Sequence, residues 1–356
     1  MSRTVSWWRS FTLAAVMLGV AACGGSNEGG TDGAGQGSGQ ASEQEDVEVR
    51  LVTPLVRDTL EFDGFWIFIE ELEREAPWIK VNYIGGPEVS PSFDQIEALA
   101  NGSFDMAPLV PGYMGGFIPG APAMLLSPND TPADDREAGT YEVYNELFFE
   151  PKGVKYLGDT QAHVGFAIWL GDSGSEINLE DAANLFDGMT IRGGTQYSAV
   201  VEPRGGAMVN MPPAEVYTAL ERGVIDGYGA ASVGIFEQGW GDVTKYQIKP
   251  TFKSNKIGVG INQAWWESLN EETRAAMEDA LVASEPLIDE HYLERIAEAE
   301  QEFLDAGIEV LELEGADAEA WADDALEGGW KEIAEFDPAA FSRLQETWYG
   351  EVRYGQ

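Results

Sequence analysis

Apolar and polar positions switch several times between a strand period and a helix period along this chain. Val47, Val49, Leu51 and Val52 predict a strand over 47–53. Residues 65–74 read as a helix and 78–84 as a second strand. Gly85-Gly86-Pro87 is a turn. A helix from Pro91 or Ser92 to Ala100 closes at Asn101-Gly102, and Ser103-Phe104-Asp105-Met106 opens the next strand. Strands alternating with helices predict an α/β protein with a largely parallel sheet.

The segment has an echo. Ala98-Leu99-Ala100-Asn101-Gly102-Ser103-Phe104-Asp105 is matched by Ala219-Leu220-Glu221-Arg222-Gly223-Val224-Ile225-Asp226. Each reads as a helix end, a glycine at a left-handed cap, an apolar strand residue and an Asp at the strand's loop. Pro213 opens the second helix where its missing N–H costs nothing. The pair suggests two domains of similar build, centred near residues 100 and 220.

A long helix is predicted from an Asn270 cap, with Glu271 and Glu272 in its first turn, to Gly307. Met277, Leu281, Ile288, Tyr292, Ile296 and Phe303 keep helical spacing. At 1.5 Å per residue it runs about 54 Å, enough to lie along both domains. Residues 308–313 read as a strand, and acidic helices fill the C-terminus.

Ahead of this region the pattern changes character. Arg3 and Arg9 precede an apolar stretch from Phe11 to Val20, and Ala21-Ala22 lead into Cys23, the chain's one cysteine. A basic start, a short apolar core and small residues before a cut site make a secretory signal over 1–22. The apolar core falls short of the roughly 20 residues that span a bilayer. Small residues immediately before Cys are the form of a bacterial lipoprotein signal, in which the thiol is lipidated. Residues 24–46 are Gly, Ser, Gln and acids, which cannot bury enough apolar surface to offset chain entropy. The 23–46 segment is therefore expected to be a disordered linker with a reach of about 30 Å. The expected setting is the periplasm or cell envelope, lipid-anchored through Cys23.

Charge narrows the partners. The chain carries 21 basic and 62 acidic residues, a net −41. Nucleic acid and anionic membrane surfaces are poor partners for it. Acids of this number suit a high-salt habitat, where repulsion is screened within about 3 Å at 1 M salt.

The remaining pieces, in order, resemble the solute-binding proteins of tripartite ATP-independent periplasmic (TRAP) transporters, of the dicarboxylate-binding type. Tyr83-Ile84-Gly85-Gly86-Pro87-Glu88 is followed by Gln95-Ile96-Glu97-Ala98-Leu99 and Gly102-Ser103-Phe104-Asp105-Met106. Asp187-Gly188-Met189-Thr190-Ile191-Arg192 precedes Gly206-Ala207-Met208-Val209-Asn210-Met211-Pro212. Glu215-Val216-Tyr217-Thr218-Ala219-Leu220 leads into Gly223-Val224-Ile225-Asp226-Gly227, and Ile261-Asn262-Gln263-Ala264-Trp265-Trp266-Glu267-Ser268-Leu269 precedes the long helix. The ordered set covers roughly 47–345.

The resemblance implies a two-domain, periplasmic-binding-protein-like α/β fold with a central cleft, crossing strands and a helix spanning both domains. Domain one is expected over 47–166 plus 258–290, and domain two over 167–257 plus 291–356. The implied function is delivery of a small organic acid to TRAP permease membrane subunits, without a cofactor or metal. Arg192 matches the arginine that pairs with the ligand carboxylate in most members. A guanidinium is a rigid, permanently charged fork that matches two carboxylate oxygens. By itself, a single Arg reads as a surface residue.

The chain departs from the family pattern twice. After Val164-Gly165-Phe166 it continues Ala167-Ile168-Trp169-Leu170, without the second cationic or polar anchor of many members. Asp226-Gly227 is followed by Tyr228-Gly229-Ala230. The cleft therefore reads as more apolar and aromatic, with Trp169, Tyr228 and Tyr113 as stacking candidates and Gln95 as a further ligand-binding residue. Core filling is the competing role for these aromatics.

Catalysis finds little support. His163 and His291 lack metal-ligand spacing. Gly171-Asp172-Ser173-Gly174-Ser175 fails the nucleophile-elbow pattern at its fifth position. A paired-acid glycoside hydrolase is the leading enzyme alternative, though nothing singles out a pair. An envelope receptor that reports a solute to a sensor is the other alternative.

Overall fold

The computed structural model describes residues 46–354. The signal sequence, Cys23 and nearly all of the linker lie outside the described residues.

Two mixed sheets form the frame. The first has the order β2-β1-β3-β10-β4. Its strands are β1 (Val47–Val52), β2 (Ile79–Gly85), β3 (Met106–Leu109), β4 (Val154–Asp159) and β10 (Gly258–Asn262). The second has the order β11-β9-β5-β8-β6-β7. It contains β5 (Gly165–Leu170), β6 (Thr190–Arg192), β7 (Ala207–Val209), β8 (Gly227–Ala231), β9 (Tyr246–Ser254) and β11 (Glu309–Glu312).

The largely parallel sheet expected from the sequence is only half present. β1 runs parallel to β2 and β3, and β6 parallel to β7 and β8. However, β10 is antiparallel to β3 and β4, and β5 is antiparallel to β8 and β9. The cause is the crossing chain. β4 leads into β5, and β9 into β10, each pair in a different sheet, so these strands enter without a βα connection to set their direction. The two crossings hold each other: the Thr160 amide donates to Ile257 O at 2.7 Å, and the Asn255 amide to Val164 O at 2.7 Å.

Helices α1 (Asp63–Glu75) and α2 (Gln95–Ala100) flank the first sheet. α1 buries Phe65, Phe68, Ile69 and Leu72, one face at helical spacing. α2 is shorter than expected, because residues 91–94 form turns ahead of it. The predicted caps are present in both halves. Gly102 and Gly223 have φ of 74° and 65°, left-handed values that an L side chain resists. The second copy precedes β8 as α3 (Val216–Glu221).

Helix α4 (Glu271–Asp305) joins the lobes. Asn270 Oδ1 caps it by accepting from the Thr273 amide at 2.8 Å. At 1.5 Å per residue its 35 residues span about 52 Å. Met277, Ala280 and Leu281 pack with Leu51, Phe65 and Phe68 in the first lobe. Ile288, Tyr292 and Phe303 pack with Trp169 and Tyr228 in the second. One helix thus buries successive turns in two cores, with Pro286 between the two sets.

The C-terminal helices depart from the expected division. α5 (Gly315–Phe336) puts Trp321 and Ala325 into a second-lobe cluster with Phe186 and Phe252. Its later residues Trp330 and Ile333 join Ala340 and Leu344 of α6 (Pro338–Tyr349) in a first-lobe cluster with Leu99, Met124 and Tyr144. Residues 291–356 therefore do not belong wholly to the second lobe. Apolar side chains face both cores, and Gly328-Gly329 stands where the helix changes partner, between Ala325 and Trp330. Among the described residues no helix is long and apolar enough to cross a membrane.

Candidate functional site

β6 ends at Arg192, which stands in register with Val209 on one side and Tyr228 on the other. Ligands of open α/β sheets bind beyond the carboxyl ends of strands, and this Arg marks such an end. Its side chain is 5% exposed. Nε donates to Met211 O at 2.9 Å, and Nη1 lies 3.5 Å from Gly229 O, at the edge of hydrogen-bond range. Among the described residues no carboxylate comes within 4.0 Å of this guanidinium. Two other buried cations among the described residues are paired: Arg204 with Asp324 at 2.8 Å, and Lys256 with Asp135 at 2.5 Å. Arg192, by contrast, is buried with no acid at ion-pair distance among the described residues.

It faces a cavity of about 40 Å³. The first lobe contributes Glu61, Phe93 and Tyr113; the second contributes Gln196, Tyr197, Asn210 and Trp240. Asn255, on a crossing, completes the wall.

Burial sets the electrostatics. The Tyr113 hydroxyl is pushed up to about 12 by desolvation, with Arg192 pulling the other way. Tyr197 is held well above the usual phenol range for the same first reason. Both remain neutral donors around Arg192. Glu61 is pushed up to about 7 by burial, against a hydrogen bond from Asn255 and the charge of Arg192.

Tight packing places these groups. A Cβ on Gly229 would lie 2.4 Å from the Tyr197 ring, so this strand residue must lack a side chain for the ring to sit there. Tyr197 also packs edge-on against Phe166 and Phe252. Gln196 Oε1 is buried without a hydrogen-bond partner. The Gln196 side chain packs against Gly112 of the first lobe, since a Cβ there would lie 2.6 Å from its Nε2.

The residues singled out from sequence divide. Arg192 and Tyr113 meet in the cavity. Trp169 and Tyr228 do not line it. They are register partners on adjacent central strands, and their shared face lies under the core. Trp169 Nε1 donates to Ala231 O at 3.2 Å, and its ring packs on Phe303. The Tyr228 hydroxyl is 2.6 Å from Thr244 Oγ1, and its ring supports Trp240 from behind. Gln95 is also buried elsewhere: Nε2 donates to Thr53 O and Ser90 O, beside a separate narrow space that shares Tyr113. The aromatic lining expected of the cleft comes instead from Phe93, Phe166, Tyr197 and Trp240.

Sequence reading missed Glu61, Gln196, Tyr197 and Asn255. A signal was available for Glu61: an acid between Leu60 and Phe62, in the connection that follows the first strand. Gln196 and Tyr197 sit in a short 3-10 turn and Asn255 on a crossing, segments whose course only the fold sets.

The chain matches the family model for the bacterial extracellular solute-binding proteins of family 7 over residues 70–336. The chain belongs to this family. It is an extracellular solute-binding protein. A solute-binding protein of Chromohalobacter salexigens is 26% identical over 240 residues, 63% of this chain and 67% of that protein. The C4-dicarboxylate-binding periplasmic protein DctP of Rhodobacter capsulatus is 27% identical over 192 residues, 51% of this chain and 56% of that protein. Among solved structures, a TRAP solute-binding protein from Desulfovibrio salexigens with bound orotic acid superposes with a TM-score of 0.71 at 18% identity. That match covers 86% of this chain and all of the other. One from Sulfitobacter sp. with bound β-D-galacturonate gives 0.68 at 21%, covering 85% and 99%. These likenesses establish the two-domain periplasmic-binding-protein-like fold.

Proposed function

We propose that this family 7 protein captures a small organic acid in its interdomain cleft, holds the carboxylate on Arg192, and delivers it to the membrane subunits of a TRAP permease. The observation that carries this reading is a buried guanidinium without an acid partner. A desolvated charge left unpaired is costly, and a bidentate carboxylate offsets that cost. The names of several solved relatives support the same chemistry, since they hold galacturonate, glucuronate, orotic acid or pyruvate.

In this reading the lobes close by bending at the paired crossings, near 160–164 and 255–257, with 47–159 and 165–254 as the main bodies and the C-terminal helices bridging them. The protein works in the periplasm, tethered through a lipid on Cys23. Its acid excess keeps it soluble in concentrated salt.

The test is a thermal-shift screen over small organic acids, followed by calorimetry on Arg192→Ala and Arg192→Lys. Binding to the native state raises stability by RT ln(1 + [L]/Kd). Arg192→Ala should weaken a screened acid by roughly 2–5 kcal/mol, because it leaves the ligand's carboxylate buried and unpaired. Arg192→Lys should restore only part, since a point charge lacks the fork. Binding of that acid to Arg192→Ala at parental strength would overturn the assignment.

A further inference from the structure

The Arg192 cavity contains a carboxyl group that a plain carboxylate clamp does not need. Glu61 lies in the connection between β1 and α1, only 9% exposed. It lines the same cavity as Arg192. The Tyr292 hydroxyl donates to its backbone carbonyl at 3.0 Å, and Gln161 Nε2 to the same atom at 3.3 Å. The carboxyl is packed close to the second lobe: a Cβ on Gly234 would lie 3.5 Å from Oε1. Asn255 shares the cavity wall with it.

Glu61 and Arg192 feel each other's charge but form no ion pair, since no N–O distance between them falls within 4.0 Å. The cavity therefore holds one base and one acid, both desolvated and neither satisfied by the other. A solute with a carboxylate alone satisfies Arg192 and adds a second negative group to a closed space. A solute that also carries a cationic N–H satisfies both and leaves the site neutral.

We propose that the solute is a small zwitterion, its carboxylate on Arg192 and its protonated nitrogen on Glu61. The inference rests on the carboxylate clamp and names the ligand class for it. The aromatic walls from Phe93, Tyr197 and Trp240 suit the methylene or ring body that joins the two charges.

The charged and titratable groups facing Glu61 make the two ligand classes distinguishable. They are Arg192 and Tyr197 from the second lobe, Glu237 from the segment after β8, Tyr113 from the first lobe, and Tyr292 from α4. The tyrosines stay neutral, so Glu61 is the group that titrates near neutrality, and Glu237, itself raised by burial, pushes it further up. A zwitterion's cation stabilises ionised Glu61, so binding near pH 7 releases protons and tightens as pH rises. A simple carboxylate does the reverse: it takes up protons and weakens as pH rises.

The experiment uses matched pairs that differ only by the charged nitrogen: proline against cyclopentanecarboxylate, and pipecolate against cyclohexanecarboxylate. Calorimetry is run on the parent protein, Glu61→Gln and Arg192→Ala, in buffers of different ionisation heat. The nitrogen-bearing member should bind the parent at least about tenfold more tightly and release protons. Glu61→Gln should erase that preference and the proton release, while melting as a folded protein. Equal or tighter binding of the carbocyclic acids to the parent, lost in Arg192→Ala, would sink the zwitterion and leave the clamp standing. Unchanged binding of both members to Arg192→Ala would remove the clamp itself.

Discussion

Lys256 Nζ lies 2.5 Å from Asp135 Oδ2, with both side chains sealed from solvent at the crossing between the lobes. Asp159, at the end of β4, stands 3.9 Å from the ammonium beside Asp135 and accepts from the Tyr156 hydroxyl. Burial pushes the Asp135 carboxyl up, but the Lys256 ammonium and Asn129 outweigh it and hold the group below its ordinary range. Asp159 goes the opposite way, pushed up to about 8 by burial with the neighbouring Asp135 adding to it, against Lys256. One cation therefore serves one ionised acid, and the second acid keeps its proton.

The cluster makes stability depend on pH. In an unfolded chain an Asp titrates near 3.9, so the folded state holds the Asp159 proton more tightly. The stabilisation is complete below about pH 4 and is lost as pH rises through about 8. Glu61, raised to about 7, acts in the same direction. Melting temperature should fall from about pH 5 to pH 8, and Asp159→Asn should flatten that fall. Lys256→Met should cost about 3–5 kcal/mol, because it strands the Asp135 carboxylate. Circular-dichroism melts across this range check both, and a parental melting point for Lys256→Met would refute the cluster's role.

Gly229→Ala tests how the site is positioned. The added methyl meets the Tyr197 ring at 2.4 Å, and Gly229 O lies beside Arg192 Nη1. Overpacking a buried position costs typically about 1–3 kcal/mol, and here the displaced atoms are those around the clamp. We expect ligand affinity to drop at least about tenfold, well beyond the effect of Arg222→Ala, which removes an exposed cation. Titration calorimetry on the two variants decides it; equal affinities would mean that the ring can yield without disturbing Arg192.

The excess of acids should make the fold salt-dependent. With a net charge of −41, self-repulsion opposes compaction at low ionic strength. Raising NaCl from about 0.05 M to 2 M shortens the screening length from over 10 Å to a few ångströms, so the melting temperature should climb. A flat profile would show that the acids are spaced without strain, and the high-salt reading would be abandoned.

The tether is testable in cells. Cys23→Ser removes the thiol that a lipoprotein signal requires. The variant should move from the membrane fraction to the soluble periplasm on fractionation. Continued membrane association would exclude anchoring at this residue.

The sequence by itself determined the local frame. Asn270, the apolar spacing behind it and Gly307 marked α4 almost to the residue, and Gly102 and Gly223 marked their caps, because caps and amphipathic faces are short-range chemistry. The motif order led to the family, and with it to Arg192 and the two-lobed fold. Tertiary structure decided the rest. Trp169 and Tyr228 entered a core because their strands lie at the centre of a sheet covered by α4, and strand order is a long-range property. Trp330, Ile333, Ala340 and Leu344 turned to the first lobe although they follow residues packed on the second. Glu61 became a partner of the Arg192 cavity only when two segments far apart in sequence met across the cleft. An apolar side chain carries no label for which core will bury it, and a carboxyl in a loop no label for what it will face.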